Sequence, residues 1–189
     1  MEKLIYIQTV TNLHIGSGTG LGVIDMPVAR ERITGYPIIP SSSLKGVLRS
    51  RYKGSDKIKV FGNENKGDGK DNLVAGKYCF LDGQLLFYPV RSLKGTFLLV
   101  TCNEVLQRFN RNLQIIKQDI NRPDCNVKDN DIITNNQECA IGDNKNEYVL
   151  EEFAFNKQNA DLTSLTNLFP AIKDKIAILS NNDFSYFAK

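Results

Sequence analysis

These 189 residues contain no CxxC pair, a single histidine and no apolar run near the ~20 residues that span a bilayer, and each absence closes a class of function. Cys79, Cys102, Cys125 and Cys139 are widely spaced, and only His14 is available to complete a soft-metal set, so a zinc finger or ribbon is excluded. The thiols are read as reduced and structural. The N-terminal MEKLIYIQTV alternates like a strand and lacks a signal-peptide core, which predicts a cytoplasmic protein with no membrane partner. No RNP-type run of stacking aromatics marks a central strand, which argues against an ordinary single-strand RNA reader of that type.

What is present fits one elaborated domain over residues 1–189. The apolar share of 41% and charged share of 24% are those of a globular protein. Polar stretches rich in Asn, Lys and Gly read as insertions near 14–40, 54–76 and 117–146. The net charge of +3 is unevenly spread. Residues 1–60 hold nine Lys/Arg against four Asp/Glu, whereas residues 119–189 hold seven against twelve. A polyanion would therefore meet the first half of the chain.

Leu4 to Val10 is rich in β-branched and aromatic residues and predicts a first strand, ended by the glycines at 16, 18, 20 and 22. Thr34-Gly35-Tyr36-Pro37 predicts a hairpin turn within Val28 to Pro40. Ser41 to Tyr52 reads as a helix, with Ser41 or Ser42 as N-cap and Leu44, Val47, Leu48 and Arg51 as its stripe. Further strands are expected at 78–90, 96–102, 132–134, 148–155 and 175–179. An amphipathic helix over 103–116 would turn Val105, Leu106, Phe109 and Leu113 inward, and helical turns are expected at 161–172 and 183–188. Counted from Leu4, strand, helix, strand, strand, helix, strand is the β-α-β-β-α-β order of a ferredoxin-like α+β fold.

IGSGTGLG after a strand invites a dinucleotide-binding reading, but no suitable helix follows and no acidic residue ends a second strand of a parallel βαβ unit. Two readings remain: a flexible turn, or a loop whose Gly16, Ser17 and Gly18 let backbone N–H groups reach phosphate oxygens. SSSLKGVLR likewise reads either as a capped surface helix or as a phosphodiester site. In the second case Ser41, Ser42, Ser43 and the helix start hold one phosphate while Lys45 and Arg49, one turn apart, hold its neighbours. Gly46 favours the second reading, because glycine inside a helix costs about 1 kcal/mol and usually accompanies a close approach. Asp25, near Arg30 and Arg32, either caps a bend or serves a site, where it binds a divalent cation or positions a ribose hydroxyl. His14 is either structural or part of that site.

LHIGSGTGLGVIDMPVARERITGYPIIPSSSLKGVLR, FLDGQLLFYPVRSLKGTFLLVTCNEVLQRF, EEFAF and ILSNNDFSYF, in that order from about Leu13 to Phe187, resemble the backbone subunits of type III-B (Cmr) CRISPR effector complexes. Those subunits belong to the RAMP superfamily. The resemblance implies an RRM-like palm with inserted hairpins and a thumb that intercalates a guide–target duplex. It also implies copies stacked in a filament along one guide RNA beside other Cmr subunits. Lys45 and Arg49 match the family's guide-binding helix, Asp25 the aspartate needed for target cleavage, and His14 the histidine near it. The family usually continues beyond the position matching Phe187 with a strand and an acidic motif, which are absent before Lys189.

The expected protein is thus a guide-RNA-binding subunit whose complementary target RNA is cut at regular intervals, with Asp25 holding a divalent metal, expected to be Mg2+ although the sequence does not fix its identity. Target specificity would come from base pairing. A filament subunit with Asp25 silent is one alternative, and a guide-processing endoribonuclease using His14 as general base is another. Chelator separates the last from a metal-dependent cleavage.

Overall fold

The structure is a computed structural model that describes residues 2–16, 27–63, 74–117 and 126–189. The chain sorts into two compact units, Leu13–Gln84 and Met1–Asn12 with Leu85–Lys189.

In the Leu13–Gln84 unit, Gly16 pairs antiparallel with Val28 and Arg30 with Pro37. The expected hairpin forms, closed by Glu31 N–H to Tyr36 O at 2.8 Å and Gly35 N–H to Glu31 O at 2.8 Å. β1 (Ile38–Ile39) continues from it and pairs with β2 (Gly83–Gln84). Between them lie α1 (Ser41–Arg51) and α2 (Lys57–Phe61). Phe61 packs edge-on against Tyr52 at 5.5 Å and stacks on Phe80 at 5.7 Å, giving this unit an aromatic centre. Segment 74–77 crosses the end of α2 so closely that a Cβ on Gly76 would stand 2.6 Å from the Val60 carbonyl oxygen.

The second unit holds β3 (Tyr88–Arg91), β4 (Phe97–Cys102), α3 (Asn103–Ile115), β5 (Asp131–Thr134), β6 (Glu147–Leu150) and β7 (Phe153–Lys157). These are followed by α4 (Thr163–Leu168), a 3₁₀ turn over Pro170–Lys175, β8 (Ile176–Leu179) and α5 (Asn181–Ala188). One six-stranded sheet runs β3-β4-β8-β5-β7-β6, with β4/β8 and β5/β7 parallel and the rest antiparallel. β8 reads Ile-Ala-Ile-Leu and all four residues are buried, as a central strand covered on both faces demands. The two outer strands meet at one end, where Leu93 N–H donates to Val149 O and Glu151 N–H to Arg91 O, both at 2.9 Å. The sheet is therefore curled almost onto itself, which protects edges that would otherwise template association.

The 3.6-residue period of α3 is realised as read: Val105, Leu106, Phe109 and Leu113 are its buried residues. Leu106 joins Ile133, Leu162, Leu165, Ile176 and Ile178 in one cluster. Asn136 is buried but fully engaged. Its backbone N–H donates to Thr134 Oγ1, its side chain to Asp174 O at 2.6 Å, and its oxygens accept from Cys139 N–H and the Tyr148 hydroxyl. Among the described residues Cys79, Cys102 and Cys139 are free thiols, the last two buried, and burial pushes Cys102 up to about 11. Cys125 lies outside the described residues. No helix among them is long and apolar enough to cross a membrane.

Three expectations are corrected. Leu4 to Val10 forms no strand and joins no ladder among the described residues. Tyr6 packs on Phe109 and Phe169, while Ile5 and Val10 stay 67% and 94% exposed. Strand propensity needs a free edge to pair with, and the meeting of β3 with β6 occupies one end of each outer strand. The strand expected over 78–90 forms only as β2 and β3. The third correction concerns α1. None of its residues is buried, and Val47 and Leu48 of the expected inward stripe are 60% and 42% exposed.

Candidate nucleic-acid interface

The candidate residues gather in the Leu13–Gln84 unit. Ser17, Gly18 and Asp25 lie outside the described residues, as does the rest of 17–26. The stem on either side is described: Ala29 N–H donates to Ile15 O at 2.7 Å beside the Gly16–Val28 pair. His14 is exposed just before that stem. Arg30, two residues beyond it, spends one of its five donors on Gly35 O at 2.8 Å, which fixes the guanidinium along the exposed side of the hairpin. Glu31 in the same turn accepts from the Thr34 hydroxyl at 2.6 Å.

Ser41, Ser42 and Ser43 make the first turn of α1, with Pro40 in the cap position and no serine side chain capping the helix. The cap comes from far along the chain instead. Ser41 N–H donates to Asp82 Oδ1 at 2.7 Å, a carboxylate supplied by the segment just before β2. One donor of the helix start, and part of its positive end, is thus already matched by a negative charge. No local sequence signal points to Asp82, because the cap rule searches the residues next to the helix. Asp82→Ala is expected to lower unfolding stability by about 1 kcal/mol. Urea unfolding of parent and variant measures this, and an unchanged midpoint would remove Asp82 from the account of α1.

Lys45 and Arg49 are half-buried and lie on one face of α1 with Ser41 and Ser42, about 6 Å apart along the axis at 1.5 Å per residue. That step suits two neighbouring phosphates on one strand. Gly46 is exposed on the helix, and a Cβ built there would meet nothing within 4 Å. Among the described residues nothing in the chain itself requires glycine at 46, so any close approach at this point comes from outside the chain. The Tyr52 phenol at the end of α1 is held above its ordinary pKa, first by its 2.5 Å hydrogen bond to Asp56 and then by desolvation, with the Asp56 charge and nearby Tyr78 adding to it.

Comparison with known proteins extends the likeness over most of the chain. The RAMP superfamily model matches residues 6–179. The CRISPR system Cmr endoribonuclease Cmr4 of Pyrococcus furiosus is 39% identical over 177 residues, covering 90% of this chain and 57% of that protein. The CRISPR system CMR subunit Cmr4 of Saccharolobus solfataricus is 30% identical over 181 residues, covering 86% and 57%. The crystal structure of oligomeric Cmr4 from Pyrococcus furiosus superposes with a TM-score of 0.72 at 32% identity, covering 86% of this chain and 66% of that one. The chain spans a little over half the length of the curated relatives it matches.

Proposed function

We propose that this chain, which belongs to the RAMP superfamily, is a guide-RNA-binding backbone subunit of a type III-B CRISPR effector that cleaves complementary target RNA at regular intervals. The observation that carries the reading is α1. It sets two cations one turn apart on one face, beside an exposed glycine, in a chain 39% identical to a Cmr endoribonuclease over 90% of its length. The curled six-stranded unit would serve as a modified ferredoxin-like palm, its β4–α3–β5 and α4–β8 passages supplying the strand–helix alternation. Copies of the chain would stack along the guide together with other Cmr subunits, in the cytoplasm.

Lys45 and Arg49 would bind guide phosphates without regard to sequence, as a protein serving many guides requires, and base pairing would choose the target. In cleavage a target ribose 2′-oxygen forms a bond to its own phosphorus as the bond to the 5′-oxygen of the next nucleotide breaks. The 2′-proton passes to a base and the leaving oxygen takes one up. Asp25 would orient that hydroxyl. Among the described residues no three His, Cys, Asp or Glu side chains converge as cation ligands. A Mg2+ ion would be held by the Asp25 carboxylate together with phosphate oxygens of the RNA, a common pattern for that ion. When bound it would offset charge developing on the phosphate.

The test is equilibrium binding of several unrelated guide sequences across a salt series. Lys45→Ala with Arg49→Ala should weaken all of them alike and flatten the dependence of log K on log salt by about two contacts' worth of slope. Unaltered affinity would return α1 to a solvated surface helix and remove the basis of the proposal.

A further inference from the structure

The basic character of the Leu13–Gln84 unit does not end with α1. Between 49 and 63 stand Arg49, Arg51, Lys53, Lys57 and Lys59, and Lys77 follows within 74–80, against the single carboxylate of Asp56 in these two stretches. The fold draws the last two lysines together across the intervening chain. Lys77 N–H donates to Lys59 O at 2.9 Å, and the close crossing at Gly76 holds segment 74–77 against α2. Both lysines are exposed, and no carboxylate of the described residues lies within ion-pair distance of Lys53, Lys57, Lys59 or Lys77. Asp56 instead accepts from the Tyr52 hydroxyl. The backbone bond brings two exposed lysines to neighbouring positions, and an anion within reach of both is held by both positive charges.

Next to Lys77 stands Tyr78, 60% exposed, although Phe61, Phe80 and Tyr52 provide an aromatic centre beside it. Cations that take phosphates, with an open aromatic face alongside, are the pairing by which single-stranded nucleic acid is held without sequence choice. We propose that α2 and segment 74–80 form a second RNA contact, distinct from the Lys45–Arg49 face, in which Lys59 and Lys77 bind adjacent phosphates and Tyr78 stacks on an unpaired base. This rests on the RNA-binding reading above and adds to it a strand contact beyond α1.

The experiment uses the full chain and labelled single-stranded RNA over a salt series. Lys59→Ala with Lys77→Ala should lower affinity and flatten the salt slope by roughly 1.4, at about 0.7 per single-strand phosphate, and Lys59→Arg with Lys77→Arg should restore both. Tyr78→Leu should weaken binding about tenfold with the slope unchanged, whereas Tyr78→Phe should bind like the parent. Circular dichroism and the arginine pair together separate a lost contact from a lost fold. If the Lys45/Arg49 double variant loses affinity but the Lys59/Lys77 variant does not, the second contact is refuted while the proposed function stands. If neither does, the RNA reading itself fails. Loss of binding to phosphatidylserine vesicles with RNA affinity intact would reassign the surface to a membrane and overturn the proposal.

Discussion

Asp25→Ala is expected to cut target-RNA cleavage by roughly 10²–10⁴-fold while leaving guide binding and target capture near the parent level. Asp25 follows the glycines of 16–22 and precedes the arginines of ARER, and the residues on either side of this stretch are tied by the Gly16–Val28 pair. Affinity in the proposed complex would come from cations such as Lys45 and Arg49, which carry the opposite charge and sit on α1. Removing a carboxylate from among cations should not weaken phosphate binding, so its loss is read in the chemical step. A carboxylate alone is a poor base near neutral pH, and parent cleavage should therefore also stop in chelator. His14→Ala should have the smaller effect. Reconstituted filaments on a complementary labelled RNA give the answer: regularly spaced cleavage at the parent rate with Asp25→Ala would end the case for that residue. Chelator-resistant cleavage lost with His14→Ala would favour a guide-processing enzyme.

The same four residues, Ser-Leu-Lys-Gly, occur at 43–46 and at 92–95, and alanine at the two glycines should have opposite consequences. Gly95 has φ +73°, and a Cβ there would stand 2.8 Å from Cys139 Sγ and 3.1 Å from the Cys139 nitrogen and the Glu138 carbonyl carbon. The left-handed backbone alone costs an alanine about 1–2 kcal/mol, and the clash must move main chain that Lys94 and Lys175 bind at Ala140 and Gly95. Gly95→Ala is therefore expected to destabilise the protein by about 3 kcal/mol or more. Gly46→Ala meets open space on a helix and should stabilise by up to about 1 kcal/mol. Denaturant unfolding measures both. Guide binding measured on the stable Gly46 variant shows whether RNA comes close there: weaker binding despite higher stability is the expected result. Equal losses of stability at the two sites would sink the contrast.

Much of the second unit was legible because its signals are local. Val105, Leu106, Phe109 and Leu113 repeat at helical spacing, and Ile176–Leu179 is too apolar to lie anywhere but inside. Leu4 to Val10 misled for the complementary reason: alternation reports that a segment could pair, while pairing depends on an open edge elsewhere. In the candidate site, the one-turn spacing of Lys45 and Arg49 follows from helix geometry once the helix is recognised. Asp82 at the helix start and Lys77 beside Lys59 do not, since each comes from a segment remote in the chain and only the fold brings it near.

The sequence by itself determined that 103–116 and Ile176–Leu179 bury apolar side chains, that positive charge gathers in the first half, and that Lys45 and Arg49 share a face. These follow from period and composition, which the chain carries wherever it lies. Only the tertiary structure decided what Ser-Leu-Lys-Gly becomes. At 43–46 it is helix, because Asp82 closes the first turn and residues 47–51 continue it. At 92–95 it turns the chain between β3 and β4, because two strands hydrogen-bonded in register leave their connection no helical course, and glycine alone accepts the left-handed conformation this close to Cys139. Four residues carry too little local free energy to choose, so the hydrogen bonds and contacts of distant segments choose for them.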